Sequence, residues 1–317
     1  MKKLFLISLL VCVGILQSFA FDYTDERGVT WSCPDDPNST TVSICDASGY
    51  GDEVVIPEKV YNGTKEYTVT DIRIFTFQDN KTLEKVTWPS TVTAIPDGMF
   101  SGCSNLKVVE NIRKVTYISN NAFSGCNNLI ELDLGSCEIS YNAFDDCSKL
   151  QSIGESAKCT SVGSQAFYRC SSLEKIDLSM CTSVGSSAFN WCSRLQSVGN
   201  PKLSSIPENA FGSCSSLENI DLSMCTSVGS YAFSGCSKLQ NVNTSICTYI
   251  GDNAFNGCSS ITEVDLSVCK NLGISAFSGC TKLENVIGLE KFKSIPTSAF
   301  RWTALKSVKL PVGTTIS

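Results

Sequence analysis

The chain has 317 residues, 42% of them hydrophobic and 18% charged, a balance suited to a folded core outside a membrane. Its formal net charge is −6 and no run of Lys or Arg occurs, which argues against nucleic acid as a partner because phosphates need a basic stripe. There is no histidine, so His-containing triads, Cys-His dyads and His-ligated metal centres are excluded.

Residues 1–20 read as a secretory signal peptide. Lys2 and Lys3 supply the charged start, residues 4–16 the apolar stretch and Ser18-Phe19-Ala20 a small-x-small cleavage site. The apolar stretch is too short to span a bilayer, and Val11 before Cys12 breaks the pattern of a lipid-attachment site. No second apolar span or C-terminal anchor follows. The expectation is an exported chain that begins near Phe21.

Residues 21–70 are expected to form a small β-rich N-terminal cap. Two alternating runs, Val29 to Cys33 and Thr41 to Cys45, bracket a turn region from Pro34 to Thr40, and Cys33 and Cys45 are the one pair considered for a disulfide. Asn62-Gly63 is a hairpin signal, and its arms are expected at Val54 to Ile56 and Tyr67 to Val69.

From residue 71 to 317 the chain repeats. Anchor phenylalanines stand at Phe77, Phe100, Phe123, Phe144, Phe167, Phe189, Phe211, Phe233, Phe255, Phe277 and Phe300, separated by 23, 23, 21, 23, 22, 22, 22, 22, 22 and 23 residues. A fixed period of this size predicts a repeat solenoid of about eleven coils, each burying its apolar face against its neighbours. In one coil, Leu173, Ile176 and Leu178 predict a short strand of a parallel sheet, Gly185 a turn, and Ala188-Phe189 a core filler. Stacked at about 4.8 Å per coil, such units form a rod or shallow arc about 50 Å long.

Nine cysteines follow the anchors by three residues, from Cys103 to Cys280. Six more, Cys137, Cys159, Cys181, Cys225, Cys247 and Cys269, form a second column that other coils fill with Val69, Val92, Val115, Leu203 or Phe292. That exchange asks for apolar bulk. The first column, replaced by Asn80 and Thr303 at the ends, asks for a small group that hydrogen-bonds the turn backbone. Parallel side-chain vectors suit disulfides poorly, so a mostly reduced ladder is expected. Without a CxxC pair, zinc is not implied, and no cofactor is expected.

Phrases such as Ser161-Val162-Gly163-Ser164-Gln165-Ala166-Phe167, followed by Cys170-Ser171-Ser172-Leu173, resemble the BspA-like, or Treponema pallidum type, leucine-rich repeats. The resemblance covers roughly residues 50–310 and implies a leucine-rich-repeat solenoid. It also implies a secreted or surface protein of host-associated anaerobes, some of whose relatives act as adhesins for host matrix proteins. The chain departs from the pattern in its second cysteine column and keeps a Leu-Pro phrase only at Leu310-Pro311.

Two sets of residues are candidate ligand contacts. Asp133, Asp177, Asp221 and Asp265 recur every 44 residues between inward strand positions, with Gly199, Asn243 and Ile287 in the coils between. This acidic row reads first as a solubilising stripe left by duplication of a two-coil unit, and otherwise as a charged stripe for a basic protein partner or a weakly bound cation. Trp191 and Trp302 replace turn glycines, with Tyr168 and Tyr231 nearby in register, and fit an interface or a sugar platform, or equally rings draped over their neighbours. Trp88, in register with Leu178, is expected in the core. No catalytic motif stands out, and the reading is a binding protein rather than an enzyme. The partner is an extracellular protein, bound as by an adhesin, or a glycan, with a passive structural solenoid as the alternative.

Overall fold

The computed structural model describes residues 19–36, 38–154, 157–199, 201–306 and 313–316. The expected leader lies outside the described residues apart from Phe19 and Ala20, and Leu310-Pro311 also lies outside them.

The N-terminal unit begins with β1 (Phe19–Thr24), β2 (Thr30–Asp35), β3 (Thr41–Ile44) and β4 (Asp46–Ser48). Asp25 organises the first turn. Its Oδ1 accepts the N–H groups of Arg27 and Val29, and its Oδ2 accepts Nε1 of the fully buried Trp31 at 3.1 Å. Strand β2 pairs antiparallel with both β1 and β4. Next come β5 (Glu53–Val55), β6 (Lys59–Asn62), β7 (Lys65–Ile72) and β8 (Lys85–Thr87).

The Asn62-Gly63 hairpin forms, but its first arm is β6 and not Val54 to Ile56. A two-residue turn pairs the residues that flank it, here Asn62 with Lys65, which places residues 54–56 out of reach. Strand β5 instead pairs in parallel with β8, Val54 beside Val86, so the sheet of the coils starts at residue 53.

The coils build two sheets. The first, hereafter the strand face, runs through β5, β8 and Val108–Glu110. It continues through the bridges Glu131–Ser152, Lys175–Ser197 and Asn219–Asn241 and ends with Glu263–Asp265 beside Asn285–Ile287. The second runs from Ala94–Ile95 through Tyr117–Ile118, Cys137–Ile139 and Cys159–Val162, and again from Ser205–Ile206 to Asn271–Leu272, all parallel. On the third side each coil turns around its anchor phenylalanine; from Phe100 to Phe277 the anchor N–H donates to an alanine carbonyl of the following coil, as from Phe233 to Ala254 at 2.8 Å, and Phe77 donates to Met99.

The anchor rings stack along the axis at every step, with centroids 5.1 to 5.8 Å apart and planes 1° to 23° from parallel. Coil spacing sets that distance, and each buried ring contributes about 1.5–3 kcal/mol. Trp88 is buried against Phe100, as expected from its register.

Gly185 plays a different part from the turn residue expected. A Cβ there would sit 2.2 Å from the Ser164 nitrogen of the preceding coil, and no positive φ is involved. Gly163, Gly229, Gly251 and Gly273 meet neighbouring backbone in the same way. The glycines let one coil lie directly on the next.

Candidate ligand-binding faces

The cysteines are structural. Every first-column thiol donates to the carbonyl of the anchor phenylalanine one coil earlier, from Cys103 to Phe77 at 2.9 Å through Cys280 to Phe255 at 3.2 Å. At the ends Asn80 accepts turn N–H groups, including that of Leu83, and the Thr303 hydroxyl donates to Phe300. The second column is buried in each of its coils, whether Cys, Val, Leu or Phe fills it. Burial pushes the thiols of Cys103, Cys236 and Cys280 up to about 12, so they stay protonated and unreactive near neutral pH. Cys33 and Cys45 are free thiols, and burial foremost, then the neighbouring Cys45, pushes Cys33 up to about 12.

The acidic row lies at the exit of the strand face and is partly committed to the backbone. Oδ1 of Asp177, Asp221 and Asp265 accepts the N–H of Ser179, Ser223 and Ser267, each at 2.8 Å, and Asn243 closes the same turn onto Ser245. Hydrogen bonds from Ser179 and Ser223 hold Asp177 and Asp221 below the usual carboxylate range. Asp133 differs, because Arg113 Nε reaches its Oδ2 at 2.6 Å.

The strand face is not uniform in charge. Toward its N-terminal end Lys85 pairs with Glu110 at 3.0 Å and Lys107 with Glu84 at 2.6 Å. Toward its C-terminal end, residues 218–221, 240–243, 262–265 and 284–287 bring Glu218, Asp221, Glu263, Asp265 and Glu284 but no lysine or arginine. A groove of about 370 Å³ opens there, lined by Gln240, Asn243, Glu263, Asp265 and Ile287 among others. Met224, Ile246 and Val268 stand exposed on three successive coils where the chain leaves this face. These three exposed apolar residues were not among the sequence candidates; their 22-residue spacing was the signal available.

The four aromatic candidates lie on the turn side. Trp191 and Trp302 are exposed at 54% and 66%, Tyr231 at 42%, and Tyr168 is half-buried. The structure thus sets the acids and the aromatics on different sides of the coil. Among the described residues no group of three or more Cys, Asp or Glu is arranged to hold a metal ion, and no helix is long and apolar enough to cross a membrane.

Residues 70–196, 135–224 and 204–317 match the BspA type leucine rich repeat region (6 copies). The chain belongs to this family. Its fold is the leucine-rich-repeat solenoid. Among solved structures the chain is similar to the pneumococcal vaccine antigen PcpA, with 17% identity over 94% of this chain and 90% of that chain and a TM-score of 0.52. It also resembles a leucine rich cell surface protein from Faecalibacterium prausnitzii A2-165, with 23% identity, 84% and 94% covered and a TM-score of 0.44. For the T. pallidum leucine rich repeat protein the figures are 24%, 66% and 87%, and 0.46. At these identities the likeness concerns the fold. No curated protein matches the chain.

Proposed function

We propose that this BspA-type protein is exported, its leader cleaved after Ala20, and acts as an adhesin that grips a basic segment of an extracellular protein. The observation that carries this reading is the acidic C-terminal end of the strand face, with its groove of about 370 Å³ and the exposed Ile287 in its lining. Complementary charge speeds encounter and sets specificity, while exposed apolar side chains such as Ile287 add contact area. Asp221 and Asp265 stand two coils apart, about 10 Å at the spacing of paired strands. An extended polyproline II segment advances about 9.3 Å in three residues, so a cation at every third residue meets the row in step.

The test is binding of the purified chain to immobilised extracellular matrix proteins and to synthetic peptides that are basic, neutral or acidic. Basic ligands should bind saturably and weaken with salt, and Asp221→Asn with Asp265→Asn should weaken them at least tenfold. Binding that ignores both salt and these substitutions defeats the reading.

A further inference from the structure

The turn side holds strained aromatic residues. At the position two residues after each anchor, all eleven residues have positive φ, from 57° at Asp146 to 78° at Gly235. Two residues before each anchor the same holds, from 53° at Ser275 to 61° at Phe75. Glycine, asparagine and aspartate adopt this left-handed conformation readily; bulky side chains do not. Trp191 (φ 67°) and Tyr231 (φ 57°) nevertheless occupy it, while remaining more than two-fifths exposed, so burial does not offset the strain. Strain of this kind is kept where a site uses it.

The two residues stand on coils that flank Gly212. A Cβ at 212 would lie 2.8 Å from Asn190 Oδ1 and 3.4 Å from the Tyr231 carbonyl, and the Trp191 N–H donates to the Gly212 carbonyl at 2.9 Å. Three successive coils therefore bring the Trp191 main chain, the Asn190 side-chain amide and the Tyr231 main chain together around Gly212, which has no side chain of its own. Ser187, Asn209 and Ser213, all half-buried, add uncharged hydrogen-bonding groups. Elsewhere on this side cations cover the rings, with Arg169 5.0 Å from Tyr168 and Arg301 4.0 Å from Trp302. Among the described residues no ring or cation lies over Trp191 or Tyr231.

We propose that this corner binds a neutral hexopyranose unit of a glycan, with the C–H face of the sugar on the Trp191 ring and its hydroxyls on Asn190 and the neighbouring serines. A flat apolar ring edged by a few amides and hydroxyls matches a sugar, which is apolar on one face and polar at its rim. The site lies on a different side of the coil from the strand face and stands independently of the basic-protein reading.

The experiment titrates the purified chain with neutral cello-, malto- and galacto-oligosaccharides, followed by tryptophan fluorescence and calorimetry. At least one should bind saturably. Trp191→Gly should weaken it tenfold or more while raising Tm by roughly 2 °C, because glycine relieves the left-handed strain. Tyr231→Asn should also weaken it, and Trp302→Gly should leave affinity unchanged. If no oligosaccharide binds, if Trp191→Gly binds like the parent, or if its Tm falls, the proposal is overturned. Basic-peptide binding by Trp191→Gly should match the parent, which separates this site from the strand face.

Discussion

Cys192 donates its thiol hydrogen to the main-chain carbonyl of Phe167, 3.0 Å away in the preceding coil, and both residues are fully buried. One small side chain thereby fills core volume and gives the Phe167 carbonyl, which already accepts the Cys170 N–H at 3.1 Å, a second donor from the next coil. Cys192→Ala should cost about 1–3 kcal/mol, from the thiol hydrogen bond lost and the space left empty. Cys192→Ser, which keeps a donor, should cost less. Urea unfolding of the two variants compares them directly.

Raised thiols make stability depend on alkaline pH. Cys103, Cys236 and Cys280 are pushed up to about 12 by burial, whereas an unfolded thiol ionises near pH 8.5. Above that pH the unfolded chain releases protons that the folded chain keeps. Their contribution is complete below about pH 8.5 and is lost as pH rises toward about 12. The urea midpoint should fall between pH 8 and pH 10, and alkylating reagents should leave these thiols untouched until denaturant is added.

Glycines of the two kinds should respond differently to alanine. At Gly185 the new Cβ would meet backbone at 2.2 Å, an overpacking that costs about 1–3 kcal/mol or more. At Gly235, with φ 78°, the nearest atom lies at 3.5 Å and the cost is chiefly the left-handed backbone, about 1 kcal/mol. Thermal melts should therefore show Gly185→Ala well below Gly235→Ala.

Asp221 offers a separation of structure from charge. Asn243 closes the equivalent turn with its amide oxygen, so Asp221→Asn should keep the turn and leave Tm nearly unchanged, whereas Asp221→Ala should lower it. Because Asp221 is held below the usual carboxylate range, its stabilising contribution is present above pH 4 and is lost as the solution is acidified through its folded value. On acidification the parent should lose Tm that Asp221→Asn keeps, so the two melts should separate at low pH.

Much of this architecture was legible in the residues, and the exceptions have physical causes. The anchor phenylalanines, both cysteine columns and the buried Trp88 follow from spacing alone, since each must meet the same residue of the next coil. The arms of the Asn62-Gly63 hairpin were misplaced because Val54 and Ile56 alternate as well as Val60 does, and only pairing tells them apart. The steric role of Gly185 was hidden for the same reason: its constraint comes from the Ser164 backbone, 21 residues away. The acidic row was visible, but not that Asp133 is neutralised by Arg113 while Asp221 has a serine N–H.

The sequence by itself determined the solenoid, its period and its core, because a coil repeated every 22 residues imposes one packing requirement many times over. Tertiary structure alone decided which surface groups are free. Ion pairing along the strand face, the groove beside Asp265 and the uncovered ring of Trp191 all depend on side chains in neighbouring coils. The repeat brings those coils together but does not choose their exposed residues.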